Sequence, residues 1–226
     1  MDNFEIKPGQ LPTDARGTGT TTVGITCKDG TVLATDTRAT AGHLISHKDT
    51  QKLFKITEFM GLTIAGLVGD AQALARTLTS EVNLYEMKHD GRKMTIKAAA
   101  TSMSALLNSR KFAPYEVALI VGGWDETGPH VYSLDEAGGC MPDKWTTTGS
   151  GSPFVFGVLE DHYKDGLSAS DAIDLAIRSL NASTHRDSAS GNGFLICLIN
   201  AKGYQAVPRD EIEKRLKKMG LPPLPN

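Results

Sequence analysis

The chain has 226 residues, 40% of them hydrophobic and 22% charged, with a formal net charge of −2. This is ordinary globular composition, which argues against a disordered chain, and the near-neutral balance gives no electrostatic reason to expect nucleic acid or an anionic membrane as a partner. The three cysteines, Cys27, Cys140 and Cys197, are far apart and form no C-x-x-C pair, so a disulfide framework or a cysteine zinc site is not indicated and a reducing compartment fits best.

Residues 1–19 hold Pro8, Pro12, Gly9, Gly17 and Gly19 with scattered charges, and read as an extended arm. They lack the apolar centre of a secretory signal. No apolar run reaches the ~18 residues of a membrane-spanning helix. The expectation is a cytoplasmic protein. At Thr20 the character changes: 20–27 is rich in β-branched residues and reads as a strand, Asp29-Gly30 as a hairpin turn and 31–36 as the return strand. Strands are expected at 52–56 and 62–67. Asp70 is expected to cap a helix carrying Leu74, Leu78, Val82 and Tyr85 on one face. A second helix starts at Thr95, and 117–121 and 130–134 read as paired strands. Gly149–Pro153 is a sharp loop opening a helix, and Ser168 with Asp171 makes a capping-box-like start for another. A short apolar strand at 194–199 and a helix from Pro208 to a stop at Gly220 complete the order. Runs of strands followed by runs of helices predict α+β layers rather than an alternating parallel sheet, and one domain, 20–226, behind a leader.

Common chemical motifs are absent. There is no phosphate-binding G-x-x-x-x-G-K-[ST] loop, no G-x-G-x-x-G and no G-x-S-x-G elbow. His43 and His47 lack the glutamate of a zinc H-E-x-x-H and read as loop histidines; no metal and no cofactor are expected. The unusual feature is Gly19-Thr20, where a polar leader meets a strand. It reads as a plain strand start or as a processing junction. In the second reading, cleavage would give Thr20 a hydroxyl and a free α-amine together. Such an amine has a pKa of about 7.7–8.0 and serves as a base at neutral pH. The leader would keep it blocked as an amide, and a threonine hydroxyl without a base beside it is a poor nucleophile.

Six blocks carry a resemblance: TTTVGITCKDG at 20–30, ATDTR at 34–38, KLFKI at 52–56, GLTIAGLVGDAQ at 61–72, GSGSPFVFGVLE at 149–160 and RDSASG at 186–191. In order and spacing they resemble the β subunits of proteasomes, the archaeal type most closely, over nearly all of 20–220. The resemblance implies an N-terminal-nucleophile hydrolase fold, a four-layer αββα sandwich of two antiparallel sheets between helix layers. It implies a propeptide, 1–19, removed by self-cleavage at Gly19–Thr20, and a threonine endopeptidase acting on unfolded polypeptide. It places the nucleophile at Thr20, the acid at Asp36, the lysine at Lys52 and the oxyanion-hole N–H at Gly66. Ser150, Asp187 and Ser190 become the polar residues that orient the Thr20 amine. Arg38 is expected beside the site as a structural charge. Ala39, Ile64 and Val68 fall at the specificity pocket, whose apolar walls imply cleavage after hydrophobic residues, and Thr40 falls where backbone aligns an extended substrate. The resemblance further implies heptameric β rings stacked in pairs, α subunits at either end and an ATP-dependent unfoldase. Another N-terminal-nucleophile amidase, a related bacterial two-ring peptidase, an α subunit and a non-catalytic ring subunit fit the blocks less well.

Overall fold

A computed structural model of the chain describes residues 19–224; the rest of the expected leader, 1–18, lies outside the described residues. The first sheet combines β1 (Thr22–Cys27), β2 (Gly30–Asp36), β10 (Trp145–Thr148), β11 (Phe194–Asn200) and β12 (Gly203–Ala206) in the order β10-β1-β2-β11-β12. The second runs β5-β6-β7-β8-β9, from β5 (Leu53–Thr57), β6 (Met60–Gly66), β7 (Val117–Asp125), β8 (Gly128–Leu134) and β9 (Cys140–Asp143). All pairings are antiparallel. A small hairpin, β3 (Ala39–Ala41) with β4 (Leu44–His47), stands apart.

Strand alternation sorts the side chains into three cores. Leu62 and Ile64 of β6 and Leu119 and Val121 of β7 face α1 (Val68–Lys88) and α2 (Ile96–Ser109), meeting Leu74, Leu78 and Met103. Val23 and Ile25 of β1 and Val32 and Ala34 of β2 face α3 (Ser152–His162) and α4 (Ala169–Thr184), where Ile173, Ala176, Ile177 and Leu180 are buried. Between the sheets lie Leu33, Leu53, Ile120, Val131, Cys197 and Ile199. Each fully buried Leu or Ile contributes roughly 1.5–3 kcal/mol. The layers are therefore helix, sheet, sheet, helix, as expected, and α5 (Arg209–Lys218) adds Ile212 and Leu216 to the α3–α4 side.

Thr95 caps α2 by accepting from Ala98 N, and Ser168 caps α4 by accepting from Asp171 N. Asp70 does not cap α1. That helix follows β6 through Leu67, whose side chain makes no capping bond. The Asp70 carboxylate instead accepts from the backbone N–H of Glu116 at 3.1 Å, tying the helix to the entrance of β7. The strands β3, β4, β9, β10 and β12 were not expected from the sequence; each is only three or four residues long. Antiparallel register brings the start of β1 beside the end of β2 (Thr22 opposite Thr35) and the start of β11 beside Asp36. Lys52, just before β5, accepts at its carbonyl from Ile64 N of β6. Strand ends from both sheets thus converge at one end of the sandwich.

Candidate active site

Thr20 is buried at that end, directly after Gly19. The Thr20 hydroxyl donates to the Gly19 carbonyl oxygen at 2.6 Å, and the Lys52 ammonium reaches the same oxygen at 3.5 Å. Lys52 Nζ also lies 2.8 Å from Asp36 Oδ1. Asp36, last in β2, is 0% exposed and Lys52 is 6% exposed. The Asp36 carboxylate is fully used: Oδ1 also accepts from Thr21 N at 2.9 Å, and Oδ2 accepts from Arg38 N at 3.0 Å and Gly191 N at 2.9 Å.

A buried ion pair survives only when its polar atoms are satisfied, and these four bonds do so for Asp36. Burial pushes the Lys52 ammonium below the ordinary lysine range, with Asp36 and then Asp187 acting against the fall. Burial likewise pushes the Asp36 carboxyl up, with Lys52 and the N–H groups of Thr21 and Gly191 pulling it back. Chemically, this is a lysine that gives up its proton more readily than a free one, in contact with the carbonyl that accepts from the Thr20 hydroxyl.

A second polar cluster lies on the other side of Thr20. The backbone N–H of Thr20 donates to Ser150 Oγ at 3.2 Å, and Ser150 Oγ donates to Asp187 Oδ2 at 2.6 Å. Ser190 Oγ donates to the same carboxylate oxygen at 2.6 Å and pairs with Thr21 Oγ1 at 2.7 Å. An ionised carboxylate only accepts, so it fixes the direction of both chains: hydroxyl protons point toward Asp187. The loop before α3 can press against Thr20 because residue 149 is glycine with φ +93; a Cβ there would lie 2.0 Å from the Thr20 carbonyl oxygen.

The model of the family described as "Proteasome subunit" matches residues 17–199. The chain belongs to the proteasome subunit family. It is 49% identical over 205 residues to the proteasome subunit beta of Thermoplasma acidophilum, covering 90% of this chain and 96% of that one. The corresponding protein of Methanothermobacter thermautotrophicus is 48% identical over 202 residues, covering 89% and 96%. That of Picrophilus torridus is 49% identical over 205 residues, covering 90% and 97%.

In this proteasome subunit Thr20, Asp36, Lys52, Ser150, Asp187 and Ser190 form one connected hydrogen-bonded group, linked through Thr21. Gly66 lies at the end of β6 with φ +130, its backbone packed against Glu116. The expected pocket residues are not alike. Ala39, first in β3, is buried, Ile64 is 2% exposed within the α1–α2 core, and Val68, first in α1, is 42% exposed.

Three contributors were not singled out from sequence as partners of Asp36: the backbone N–H groups of Thr21, Arg38 and Gly191. The Arg38 side chain, expected as a structural charge, donates to Asn192 Oδ1 at 2.7 Å and to the Ser188 carbonyl at 2.8 Å, bracing the loop that carries Asp187, Ser190 and Gly191. The only signal for this was the polar Arg186–Gly191 block itself. Among the described residues no helix is long and apolar enough to cross a membrane, and no group of histidine, cysteine or carboxylate side chains is arranged to hold a metal.

Proposed function

We propose that the chain is a catalytic β subunit of the 20S proteasome core, a threonine endopeptidase that releases its own nucleophile by cutting Gly19–Thr20 and then hydrolyses unfolded polypeptide. The observation that carries this reading is the Gly19 carbonyl, held between the Thr20 hydroxyl at 2.6 Å and the Lys52 ammonium at 3.5 Å.

In the precursor the Thr20 nitrogen is an amide and has no basic lone pair. Lys52, with its proton affinity lowered by burial, contacts the same Gly19 carbonyl oxygen as that hydroxyl and is the base we assign. It takes the hydroxyl proton as Thr20 Oγ bonds to the Gly19 carbonyl carbon. Collapse breaks the C–N bond, the nitrogen leaves as the Thr20 amine after taking up a proton, and an ester joins Gly19 to Thr20 Oγ. Water hydrolyses the ester, giving a Gly19 carboxylate and a mature Thr20. In the mature chain the α-amine inherits the Ser150 contact, and amine and Lys52 titrate as one coupled unit. The same hydroxyl then attacks a substrate carbonyl, the Gly66 N–H stabilises the oxyanion, and an acyl-enzyme forms and is hydrolysed.

Ala39, Ile64 and Val68 are all uncharged, so a pocket drawn from these positions favours cleavage after hydrophobic residues, with Ile64 contributing from within the α1–α2 core rather than as an open wall. Faster cleavage after basic residues counts against that assignment. Large apolar side chains are exposed at Leu44 (74%), Met87 (81%) and Phe112 (94%), more than an isolated subunit has use for. They suit a subunit that meets neighbours in a β ring stacked against α subunits, to which an unfoldase delivers substrate. Enclosure in such a chamber makes an unselective peptidase compatible with the cytoplasm.

The decisive test is intact mass after co-expression with an α subunit. The wild-type chain loses residues 1–19 and hydrolyses peptides; Thr20→Ala keeps the leader and does neither. Removal of the leader at the same bond in Thr20→Ala overturns the self-cleavage step.

A further inference from the structure

The Gly19 carbonyl has its partners on one side of the scissile bond, but the residue has a second peptide plane, and that plane is also held. The Gly19 N–H donates to Thr40 Oγ1 at 3.1 Å, a buried contact across 21 residues of chain. We propose that the Thr40 hydroxyl is a positioning residue for self-cleavage, fixing the peptide plane before the scissile bond so that the Gly19 carbonyl meets the Thr20 hydroxyl. This rests on the self-cleavage reading above. It assigns a role to the side chain of Thr40, separate from any alignment of substrate by its backbone.

Residue 19 has room only for glycine. A Cβ at that position would stand 1.7 Å from the Ala189 Cβ and 3.0 Å from Ser150 Oγ. No side chain fits without moving the loop that carries Asp187. Glycine, however, is the residue whose backbone is least restrained by its own sterics. The steric wall that forces glycine therefore removes the internal restraint on the bond to be cut. Restraint has to come from outside, and the described contacts supply it at both ends. Thr20 N is held by Ser150, Gly19 O by Thr20 Oγ1 and Lys52, and Gly19 N by Thr40.

Thr40 is suited to the task. It is the middle residue of β3, buried, and it sits at an irregularity in register between Ala39 and Thr40 that breaks the regular pairing with β4. A β-branched side chain is stiff about χ1, so the hydroxyl oxygen is held in place with little rotamer freedom to lose. A serine keeps the acceptor but not the stiffness. A valine keeps the shape but not the acceptor.

That contrast makes the test. Full-length wild type, Thr40→Val, Thr40→Ser and Thr20→Ala are each mixed with α subunits, and loss of residues 1–19 is timed by intact mass. A net hydrogen bond of ordinary strength predicts that Thr40→Val lengthens the half-time about three- to ten-fold, with Thr40→Ser much closer to wild type. A purely structural role predicts the opposite order, because valine fills the buried space and serine leaves a methyl-sized gap. Thr40→Val processed at the wild-type rate, or Thr40→Ser slower than Thr40→Val, overturns the proposal. If Thr40→Val does not assemble, Thr40→Ala replaces it, and Thr40→Ala as fast as Thr40→Ser is the overturning result. Failure of the underlying reading looks different: the wild-type chain keeps its leader, or Thr20→Ala loses it.

Discussion

Thr20 stands between two carboxylate clusters of different construction. Asp36 sits at a strand end with no exposure, holds four donors and carries the charge of a buried lysine. Asp187 sits in the loop after α4, half-buried, and gathers two neutral hydroxyls through one oxygen. In the proposed mechanism the first cluster is the one that moves a proton, and it lies inside the sandwich where burial shifts proton affinity. The second holds the Thr20 nitrogen through Ser150, and in the proposed mechanism its loop hydroxyls aim that nitrogen. Charge management is thus built on sheet framework and orientation on loops.

The largest break in that comparison is Lys52→Ala. It removes the base of the proposed self-cleavage and leaves Asp36 with a buried, unpaired charge. Loss of a positioned base costs about 10²–10⁴ in rate, and breaking a buried ion pair by deleting one member costs roughly 3–5 kcal/mol of stability. The expected outcome is a chain that keeps its leader and melts at lower temperature, read by intact mass and calorimetry. A Lys52→Ala chain that matures at the normal rate removes Lys52 from the mechanism.

A pH profile sharpens the comparison. In the proposed self-cleavage the Thr20 nitrogen is still an amide and Lys52 acts as a base only when neutral, so the rate of leader removal rises with pH through its lowered pKa. Burial lowers that pKa, while Asp36 most strongly and Asp187 more weakly oppose the fall. Removing either negative charge lowers it further, so the acid limb moves to lower pH in both Asp36→Asn and Asp187→Asn, and further in the first. In absolute rate Asp187→Asn is the milder change. It weakens two charge-assisted hydrogen bonds without removing a group that takes the proton, and about a ten-fold loss is expected. A larger limb displacement from Asp187→Asn than from Asp36→Asn, or movement to higher pH, contradicts the division of labour.

The two clusters also differ in how far the sequence discloses them. Asp36 and Lys52 lie in blocks with family spacing, and the layered architecture follows from the runs of strand and helix patterns. The donors that satisfy Asp36 are backbone N–H groups of Thr21, Arg38 and Gly191, and every residue but proline has one, so nothing in the letters marks them. The Gly19–Thr40 bond is illegible for a related reason, since it joins segments 21 residues apart across an irregular strand pair. Ser168 was readable as a helix cap and Thr95 as a helix start because capping is local, whereas Asp70 looked like a cap and serves Glu116, 46 residues away. Four-residue strands such as β9 and β12 are too short for alternation to emerge.

The smallest expected effect tests whether the Asp187 cluster depends on its frame. Ser168 begins α4, the helix that ends just before Asp187. Its hydroxyl accepts from Asp171 N at 3.1 Å and donates to the Asp171 carboxylate at 2.7 Å. Ser168→Ala removes that cap, and the typical cost is about 1 kcal/mol. For a chain of this size that corresponds to roughly 2–4 °C in Tm. The far end of α4 is anchored independently: Ile173, Ala176, Ile177 and Leu180 are packed against the sheet, and Asp187 N donates to the Ser183 carbonyl at 2.8 Å. Fraying of the first turn is therefore not transmitted to the loop, and peptide hydrolysis is unchanged while the melting point drops. A ten-fold fall in rate with the same small drop in Tm means that α4 acts as a lever on Asp187, and the orienting cluster then belongs to the framework as much as Asp36 does.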